Sequence, residues 1–346
     1  MNGRGPAADG TSTGEIVAFL REAAAHGDGT RDVAVVETHM SWLFLTDAAV
    51  YKLKKAMRQD GLDFSTPALR RYNCEEEVRL NRRLAPDVYL GVVAVTRQSD
   101  GGLALAGAGV PVDWLVHMRR LPAERSLDRV LQSGRADAAA GLIRDVARRL
   151  ARFYAEAAPV AVAGAAYCDR LAAGVRLDWA ALTAPHYGVP RAKVERLATA
   201  QLALLDRCRP LFAARADGGH LVEGHGDLRP EHIWLVEPPV VIDCIEFDRT
   251  LRVIDPADDL AFLALECERL GAAAVGGVFL DAYVEATGDR PPPQVLGFHR
   301  VYRAMRRATI AARHLDDPVV TADVEPYRQR AIRYVEMVEP VGLDAG

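Results

Sequence analysis

The stretch His225-Gly226-Asp227-Leu228-Arg229-Pro230-Glu231-His232 is followed by an apolar run (233–236), a turn (237–239) and a second apolar run (240–242) that leads to Asp243. Two short β-branched runs separated by turn residues are typical of a β-hairpin. If Val236 pairs with Val240, then Ile233 faces Asp243 and His232 lies one step beyond. Opposed side chains on paired strands lie about 5 Å apart. The stretch therefore predicts ionisable groups close enough to share a metal ion.

Asp227 precedes the first predicted strand of this hairpin. Alone, it would be a turn or cap residue, because a short carboxylate closes local hydrogen bonds. The neighbouring His225, His232 and Asp243 favour a different interpretation. Phosphoryl transfer requires a carboxylate that orients the attacking hydroxyl, together with ligands that hold Mg²⁺ against the phosphates. This stretch contains both kinds of group.

The composition does not point to a partner, which must be argued from the sites. The 346 residues carry 43 basic and 47 acidic side chains, and this balance gives no electrostatic reason to expect a nucleic acid or an anionic membrane as partner. The five cysteines form no CxxC pair, which is typical of reduced thiols in a cytoplasmic protein. No apolar run approaches the roughly 20 residues of a membrane span, so a cytoplasmic location is predicted.

The chain divides into a β-rich and a helical part. Residues 1–12 combine Gly, Pro and Ser with almost no large apolar side chain, and predict a disordered tail. The pattern of residues 13–118 predicts a β-rich lobe. It consists of a helix from Thr13 to near Gly27, strands at 33–36, 42–45, 49–54, 89–95 and 112–118, and a helix at 69–84. Residues 119–346 are mainly helical, with helices predicted around 142–153, 194–212, 257–270, 277–286 and 295–314.

Several segments resemble a known family. The sequence His225-Gly226-Asp227-Leu228, the position five residues after Asp227, and Val241-Ile242-Asp243 followed by Glu246-Phe247 resemble the signature of aminoglycoside phosphotransferase and choline-kinase-like enzymes, small-molecule relatives of protein kinases. The segment 255–261 is also similar. Segments 37–39, 50–55 and 62–65 resemble an uncharacterised bacterial branch that is often fused to a P-loop domain. The P-loop motif GxxxxGK[ST] does not occur in this sequence.

The resemblance implies an α+β, two-lobed protein-kinase-like fold. Its β-rich N-terminal lobe (13–118) would bind nucleotide, and its mainly helical C-terminal lobe (119–346) would carry catalytic and substrate residues. It also implies Mg²⁺-dependent phosphoryl transfer from ATP to a hydroxyl of a small molecule, with Asp227 as catalytic base and Asp243 as principal Mg²⁺ ligand. His232 occupies a position where the family usually has Asn. Mg²⁺ prefers oxygen ligands, so His232 either binds through water or alters the second metal site.

Lys52 and Lys54 are two residues apart on a predicted strand, so both side chains point to the same face. A kinase needs one lysine on its third strand to hold the phosphates, and a glutamate from the following helix to hold that lysine. The family pattern favours Lys52, with Lys54 as a neighbour that could substitute, and Glu77 as the partner. The segment 38–41 lies where protein kinases have a glycine-rich loop.

The other charged residues receive more modest interpretations. Asp258 and Asp259 are expected to be structural, because Asp255 is a natural helix N-cap and acids in a first turn favour the helix dipole. Five arginines on the last long helix predict a solvated face, with a surface for an anionic substrate or a partner as the alternative: Arg300, Arg303, Arg306, Arg307 and Arg313. Glu246 and Asp248 are candidates for contacts with a cationic acceptor.

The acceptor is expected to be a small hydroxylated metabolite or an aminoglycoside-like molecule. Two alternatives remain open at this stage. One is a metal-dependent hydrolase that uses His225, Asp227, His232 and Asp243. The other is a catalytically weak, kinase-like nucleotide-binding protein, which the histidine at position 232 makes plausible.

Overall fold

The structure is a computed structural model that describes residues 11–27, 29–59, 61–316 and 324–340. Most of the predicted tail at 1–12 therefore lies outside the described residues. Contacts divide the chain into two compact units. The β-rich unit comprises Met1–Ser126 and His232–Leu251, and the helical unit comprises Leu127–Glu231 and Arg252–Gly346.

The helices of the described residues are α1 (Thr13–Arg21), α2 (Pro67–Asn81), α3 (Leu127–Gln132), α4 (Ala140–Glu156), α5 (Gly164–Leu182), α6 (Arg191–Arg207), α7 (Arg209–Asp217), α8 (Pro256–Arg269), α9 (Ala273–Thr287), α10 (Pro293–Arg313) and α11 (Glu325–Glu336). The strands are β1 (Ala34–Glu37), β2 (Ser41–Leu45), β3 (Ala49–Lys54), β4 (Arg58–Gln59), β5 (Leu62–Asp63), β6 (Tyr89–Arg97), β7 (Leu103–Leu105), β8 (Val110–Arg119), β9 (Val222–Glu223), β10 (Ile233–Trp234), β11 (Val240–Val241) and β12 (Val253–Ile254).

The β-rich unit is built on a six-stranded antiparallel sheet with the order β1-β2-β3-β8-β6-β7. Alternation along β3 divides its side chains between two faces. Tyr51 and Leu53 pack with Ile16 and Leu20 of α1. The opposite face packs against α2, in a cluster that includes Cys74, Val78, Tyr89, Val116 and Met118. Lys52 and Lys54 therefore point towards the α2 side of the sheet.

Helix α2 begins two residues earlier than its sequence pattern predicts. Thr66 is the N-cap, and its hydroxyl accepts a hydrogen bond from the Leu69 N–H at 3.2 Å. Pro67 occupies the first helical position, where its missing N–H has no helical partner to lose. The helix ends at Asn81, which places Glu77 one turn before its C-terminus.

The hairpin β10–β11 corrects the predicted register. Ile233 pairs with Val241 and Trp234 with Val240, so the predicted pairing of Val236 with Val240 is wrong by two residues. Two causes are visible. The chain leaves the ladder after Trp234 because Leu235 donates its N–H to the Arg125 carbonyl at 2.8 Å. The prolines at 238 and 239 also lack the N–H groups that would extend the pairing.

The helical unit has its core around α10, which packs against α5, α6, α8 and α11. Large apolar side chains fill this core, among them Phe212, Phe262, Phe298, Met305 and Tyr334. The predicted combination of a β-rich part with a mainly helical part is confirmed. None of the helices in the described ranges has the length and apolar character needed to cross a membrane. The five cysteines are free thiols, four of them buried.

Candidate active site

Lys52 lies between two carboxylates in the β-rich unit. Its Nζ is 2.8 Å from Glu77 Oε1 and 3.0 Å from Asp243 Oδ1. Burial lowers the pKa of Lys52, but the two carboxylates outweigh burial and raise it well above its usual value. The structure therefore brings together the lysine, the glutamate and the aspartate that the sequence selected, and Lys52 is held in its charged form.

Lys54 contacts the other oxygen of the same glutamate. Its Nζ lies 2.6 Å from Glu77 Oε2, forms an ion pair with Glu246 and lies 4.9 Å from the centre of the Phe64 ring. The side chain of Lys54 is only 1% exposed, against 16% for Lys52. The two lysines thus differ in access: Lys52 reaches solvent, whereas Lys54 is enclosed by protein groups.

The acids around the two lysines differ in their electrostatics. Burial tends to raise the pKa of Glu77, but Lys52 and Lys54 outweigh it and lower this pKa, so Glu77 is ionised. Burial raises the pKa of Glu246 more than Lys54 lowers it. Glu246 is buried in the β-rich unit and forms an ion pair with Lys54. Asp248 accepts hydrogen bonds from the N–H and hydroxyl of Thr250 at 2.8 and 2.7 Å, which closes a local turn.

Asp243 follows β11 and has an unusual backbone conformation. Its φ is +63°, in the left-handed region that residues other than glycine rarely adopt. Its side chain is 43% exposed, with Oδ1 on Lys52 and Oδ2 at 3.3 Å from His232 Nε2. His232 and Asp243 thus meet even though the predicted strand register was wrong. His232 precedes β10, and its carbonyl accepts a hydrogen bond from the Ile242 N–H at 2.9 Å.

Asp227 belongs to the helical unit and lies in a tight loop before Pro230. Gly226 has φ +85°, which a side chain at that position would strain. The Asp227 N–H donates to His225 Nδ1 at 3.3 Å, and Arg229 Nε lies 3.1 Å from Asp227 Oδ2. The Asp227 side chain is 25% exposed. His225 thus contributes a local hydrogen bond to the loop.

Asp259 holds this loop from the first turn of α8. Its Oδ2 accepts the N–H of His225 at 2.9 Å, and its Oδ1 accepts the N–H of Gly226 at 3.1 Å. The Tyr154 hydroxyl donates a third hydrogen bond to Oδ2, at 2.8 Å. Burial raises the pKa of Asp259 despite the nearby Arg303. The N-cap interpretation of Asp255 also agrees with the structure, since its carboxylate accepts the Ala257 N–H at 3.0 Å.

Arg303 corrects the interpretation of the arginine stripe as a solvated face. It is buried, and its Nη1 donates to the Gly226 carbonyl at 2.7 Å. Its Nε and Nη2 donate to the two oxygens of Asp258 at 2.7 and 2.8 Å. Burial would raise the pKa of Asp258, but Arg303 and then His299 lower it far below its usual value. Arg303 and Asp258 therefore form a buried ion pair that contacts the loop before Asp227.

The sequence analysis missed two residues that contact the segment of Asp243. Tyr89, the first residue of β6, accepts a hydrogen bond from the Asp243 N–H, and Asn81, the last residue of α2, accepts one from the Cys244 N–H. Asn81 carried a usable signal, because it lies four residues after Glu77 and so on the same helix face. Tyr89 carried none, since a buried tyrosine at a strand start is an ordinary core residue.

Comparison with known proteins gives relatives by sequence and relatives by structure. No family model matches the chain. Curated but uncharacterized proteins of Mycobacterium bovis and Mycobacterium tuberculosis are 32% identical over 288 residues, which cover 80% of this chain and 54% of each relative. The chain therefore spans about half the length of the curated relatives it matches.

Solved structures show the fold. Aminoglycoside phosphotransferase APH(4)-Ia aligns over 93% of this chain and 99% of its own, with a TM-score of 0.52 and 12% identity. The apo form of a thermostable mutant of that enzyme gives a TM-score of 0.53 with 13% identity, over 92% of this chain and 98% of its own. A ternary complex of a thermostable mutant with AMP-PNP and hygromycin B gives a TM-score of 0.52 with 11% identity, over 93% of this chain and 98% of its own. The fold predicted from the sequence resemblance is confirmed: this chain has the fold of the aminoglycoside phosphotransferases.

Proposed function

We propose that the protein is a small-molecule kinase that transfers the γ-phosphoryl group of ATP to a hydroxyl group in a Mg²⁺-dependent reaction. The observation that carries the proposal is the position of Lys52, 2.8 Å from Glu77 and 3.0 Å from Asp243. A strand lysine held by a helix glutamate, next to an aspartate that binds metal, is the arrangement with which kinases hold nucleotide phosphates. Three residues far apart in sequence meet in this arrangement.

Lys52 is the residue that we assign to the phosphates. Its partial exposure lets its ammonium group exchange a carboxylate for a phosphate oxygen, whereas Lys54 is enclosed between Glu77 and Glu246. Glu77 would keep Lys52 charged and oriented throughout. The sequence pattern allowed Lys54 to substitute for Lys52. We instead assign Lys54 to the support of Glu77, which it contacts.

Asp243 suits Mg²⁺ because its carboxylate is a hard oxygen ligand with access to solvent. When all are ionised, two lysines face three carboxylates here, which leaves one net negative charge to attract a divalent cation. The described ranges contain no group of three or more His, Cys, Asp or Glu side chains placed to hold a metal ion. Mg²⁺ in kinases takes one or two carboxylates and completes its shell with water and phosphate oxygens. We assign His232 to the support of Asp243, 3.3 Å away, rather than to direct ligation.

Asp227 is proposed as the catalytic base that orients the acceptor hydroxyl. The loop before it is fixed by buried groups, namely Asp259 on two N–H groups and Arg303 on a carbonyl. A fixed loop suits a group that must meet a hydroxyl within hydrogen-bond distance. Arg229, whose Nε lies 3.1 Å from Asp227 Oδ2, is the charged neighbour of this carboxylate.

The acceptor is proposed to be a small hydroxylated molecule. One structure with the same fold contains hygromycin B together with AMP-PNP, so an aminoglycoside-like acceptor is one candidate class. Of the two acids proposed for a cationic acceptor, Glu246 is paired with Lys54, whereas Asp248 lies in a partly exposed turn. Asp248 is therefore the better candidate of the two.

The test is Mg·ATP binding measured by isothermal titration calorimetry. Wild-type protein should bind, and Lys52→Met or Asp243→Asn should remove detectable binding. Lys55→Met is the matched control, because Lys55 pairs with Glu37 at 2.6 Å and lies over the Trp42 ring. A wild-type protein that does not bind Mg·ATP would overturn the proposal.

Turnover is tested separately with labelled ATP and pooled hydroxylated metabolites. Asp227→Asn should lower transfer by about two to four orders of magnitude, the usual contribution of a general base, while nucleotide affinity stays within about twofold. Nucleotide binding without transfer to any acceptor would instead support a catalytically weak kinase-like protein. Hydrolysis that depends on zinc, manganese or iron and needs no nucleotide would support the hydrolase.

A further inference from the structure

Two successive backbone N–H groups at the proposed metal ligand are held by buried side chains. The Asp243 N–H donates to the Tyr89 hydroxyl at 3.1 Å, and the Cys244 N–H donates to Asn81 Oδ1 at 2.9 Å. Tyr89 and Asn81 are each only 1% exposed. Both anchors are therefore enclosed by protein groups.

These hydrogen bonds act where the backbone is strained. Asp243 has φ +63°, a left-handed conformation that residues with a side chain adopt at some cost, although aspartate tolerates it better than most. Two fixed N–H groups in succession restrict the peptide between residues 243 and 244. The direction of the Asp243 side chain follows from that peptide, because the Cα–Cβ bond is set by the backbone torsions.

Asn81 also links this segment to the helix that carries Glu77. Its Nδ2 donates to the Glu77 carbonyl at 2.9 Å, while its Oδ1 accepts from Cys244. Glu77 in turn contacts Lys52 at 2.8 Å. One turn of α2 therefore acts on Lys52 in two ways. Glu77 contacts Lys52 directly, and Asn81 holds the backbone next to Asp243, the other partner of Lys52.

We propose that Asn81 and Tyr89 form a clamp that fixes the Asp243 carboxylate and ties its position to α2. They are positioning residues, since neither contacts the metal or the phosphates in the arrangement proposed above. The proposal rests on the proposed function, because it treats Asp243 as the Mg²⁺ ligand. Side chains that orient a metal ligand commonly change metal affinity or activity 10- to 100-fold when removed.

The test uses Tyr89→Phe, which removes one hydroxyl and keeps the ring. Tyr51→Phe is the matched control, because Tyr51 is a buried tyrosine on the opposite face of the same sheet. The first measurement is hydrogen exchange of the peptide that contains residues 243 and 244, without metal or nucleotide. Exchange should accelerate at least tenfold in Tyr89→Phe and remain unchanged in Tyr51→Phe. Unchanged exchange in Tyr89→Phe would overturn the clamp.

The second measurement is Mn²⁺ binding in the presence of AMP-PNP, followed by electron paramagnetic resonance. Tyr89→Phe should weaken Mn²⁺ binding about 10- to 100-fold, with a thermal midpoint close to that of the control variant. Asn81→Leu should give the same pattern, and Tyr89→Phe alone decides the matter if Asn81→Leu does not fold. Wild-type Mn²⁺ affinity in Tyr89→Phe would overturn the clamp and leave the kinase assignment standing. A wild-type protein that binds no Mn·AMP-PNP would overturn the kinase assignment, and with it the role of the clamp at a metal ligand.

Discussion

Lys54→Met should destabilise the protein strongly, whereas Lys52→Met should leave it nearly as stable as wild type but unable to bind Mg·ATP. The two lysines are two residues apart on β3 and both contact Glu77. They differ in their surroundings. Lys54 is 1% exposed and contacts two enclosed carboxylates, whereas Lys52 is 16% exposed and its second partner, Asp243, is 43% exposed.

The size of each loss of stability follows from the carboxylates that the substitution leaves without their lysine. Without Lys54, the carboxylate of Glu246 loses its lysine inside the β-rich unit, and removal of one partner from a buried ion pair costs about 3–5 kcal/mol. Without Lys52, Glu77 keeps Lys54 and water can solvate Asp243, so the loss should be about 1 kcal/mol or less. A loss of 3 kcal/mol in a unit of this size lowers the thermal midpoint by roughly 6–12 °C.

The assay is thermal and urea unfolding of both variants at one pH, with Lys55→Met as the control. Lys54→Met/Glu246→Gln should recover part of the lost stability, because the neutral amide removes the buried charge. The deficit of Lys54→Met should also shrink as the pH falls, since burial already raises the pKa of Glu246 and loss of the ammonium raises it further. Equal destabilisation by the two lysine variants, or the reverse order, would refute the reasoning.

Two further predictions concern buried charge and buried thiols. Arg303→Met should lower stability by about 3–5 kcal/mol, because it leaves Asp258 buried without its guanidinium partner. Asp258 has a lower pKa in the folded than in the unfolded protein, so its stabilising contribution is complete above about pH 5 and declines as the pH falls below the unfolded pKa of about 4. Urea unfolding between about pH 3 and 6 should therefore show a steeper acid-dependent loss of stability in wild type than in the variant. Burial raises the pKa of Cys74 and Cys267 to about 12, so at about pH 8 a thiol reagent should label these two residues only after the protein unfolds. The half-buried Cys208 should be labelled first. Rapid labelling of both buried thiols in the folded protein would contradict this prediction.

Local periodicity placed the lysine pair on one strand face and its partner on a helix. Strand β3 occupies the predicted residues 49–54, and its alternation sends Lys52 and Lys54 to one face. The hydrophobic pattern of α2 indicated a helix in the right place, which left Glu77 among three successive glutamates as the partner. The family resemblance supplied the contact between them. The placement of the residues was predictable because it depends on the geometry of single elements, whereas their meeting was not.

The contacts that periodicity could not predict join buried polar groups from distant elements. Arg303 was grouped with four other arginines on one helix, yet it points inward with His299, one turn earlier, towards Asp258. The hairpin register depended on a hydrogen bond from Leu235 to Arg125, in a segment more than a hundred residues away. A sequence pattern shows that a residue is polar, but it does not show whether the folded protein buries that residue next to a polar partner.

The two proposed reactive carboxylates are held by the same kind of device. Asp227 and Asp243 are 25% and 43% exposed, and the backbone beside each is fixed by enclosed side chains. Asp259 accepts two successive N–H groups just before Asp227, and Asn81 with Tyr89 accept two successive N–H groups at Asp243. A carboxylate that must meet a hydroxyl or a cation gains nothing from burial, since burial would raise its pKa, but it gains from a fixed backbone. Because buried side chains fix the neighbouring backbone, the carboxylate oxygens of Asp227 and Asp243 can remain accessible to solvent without losing their position.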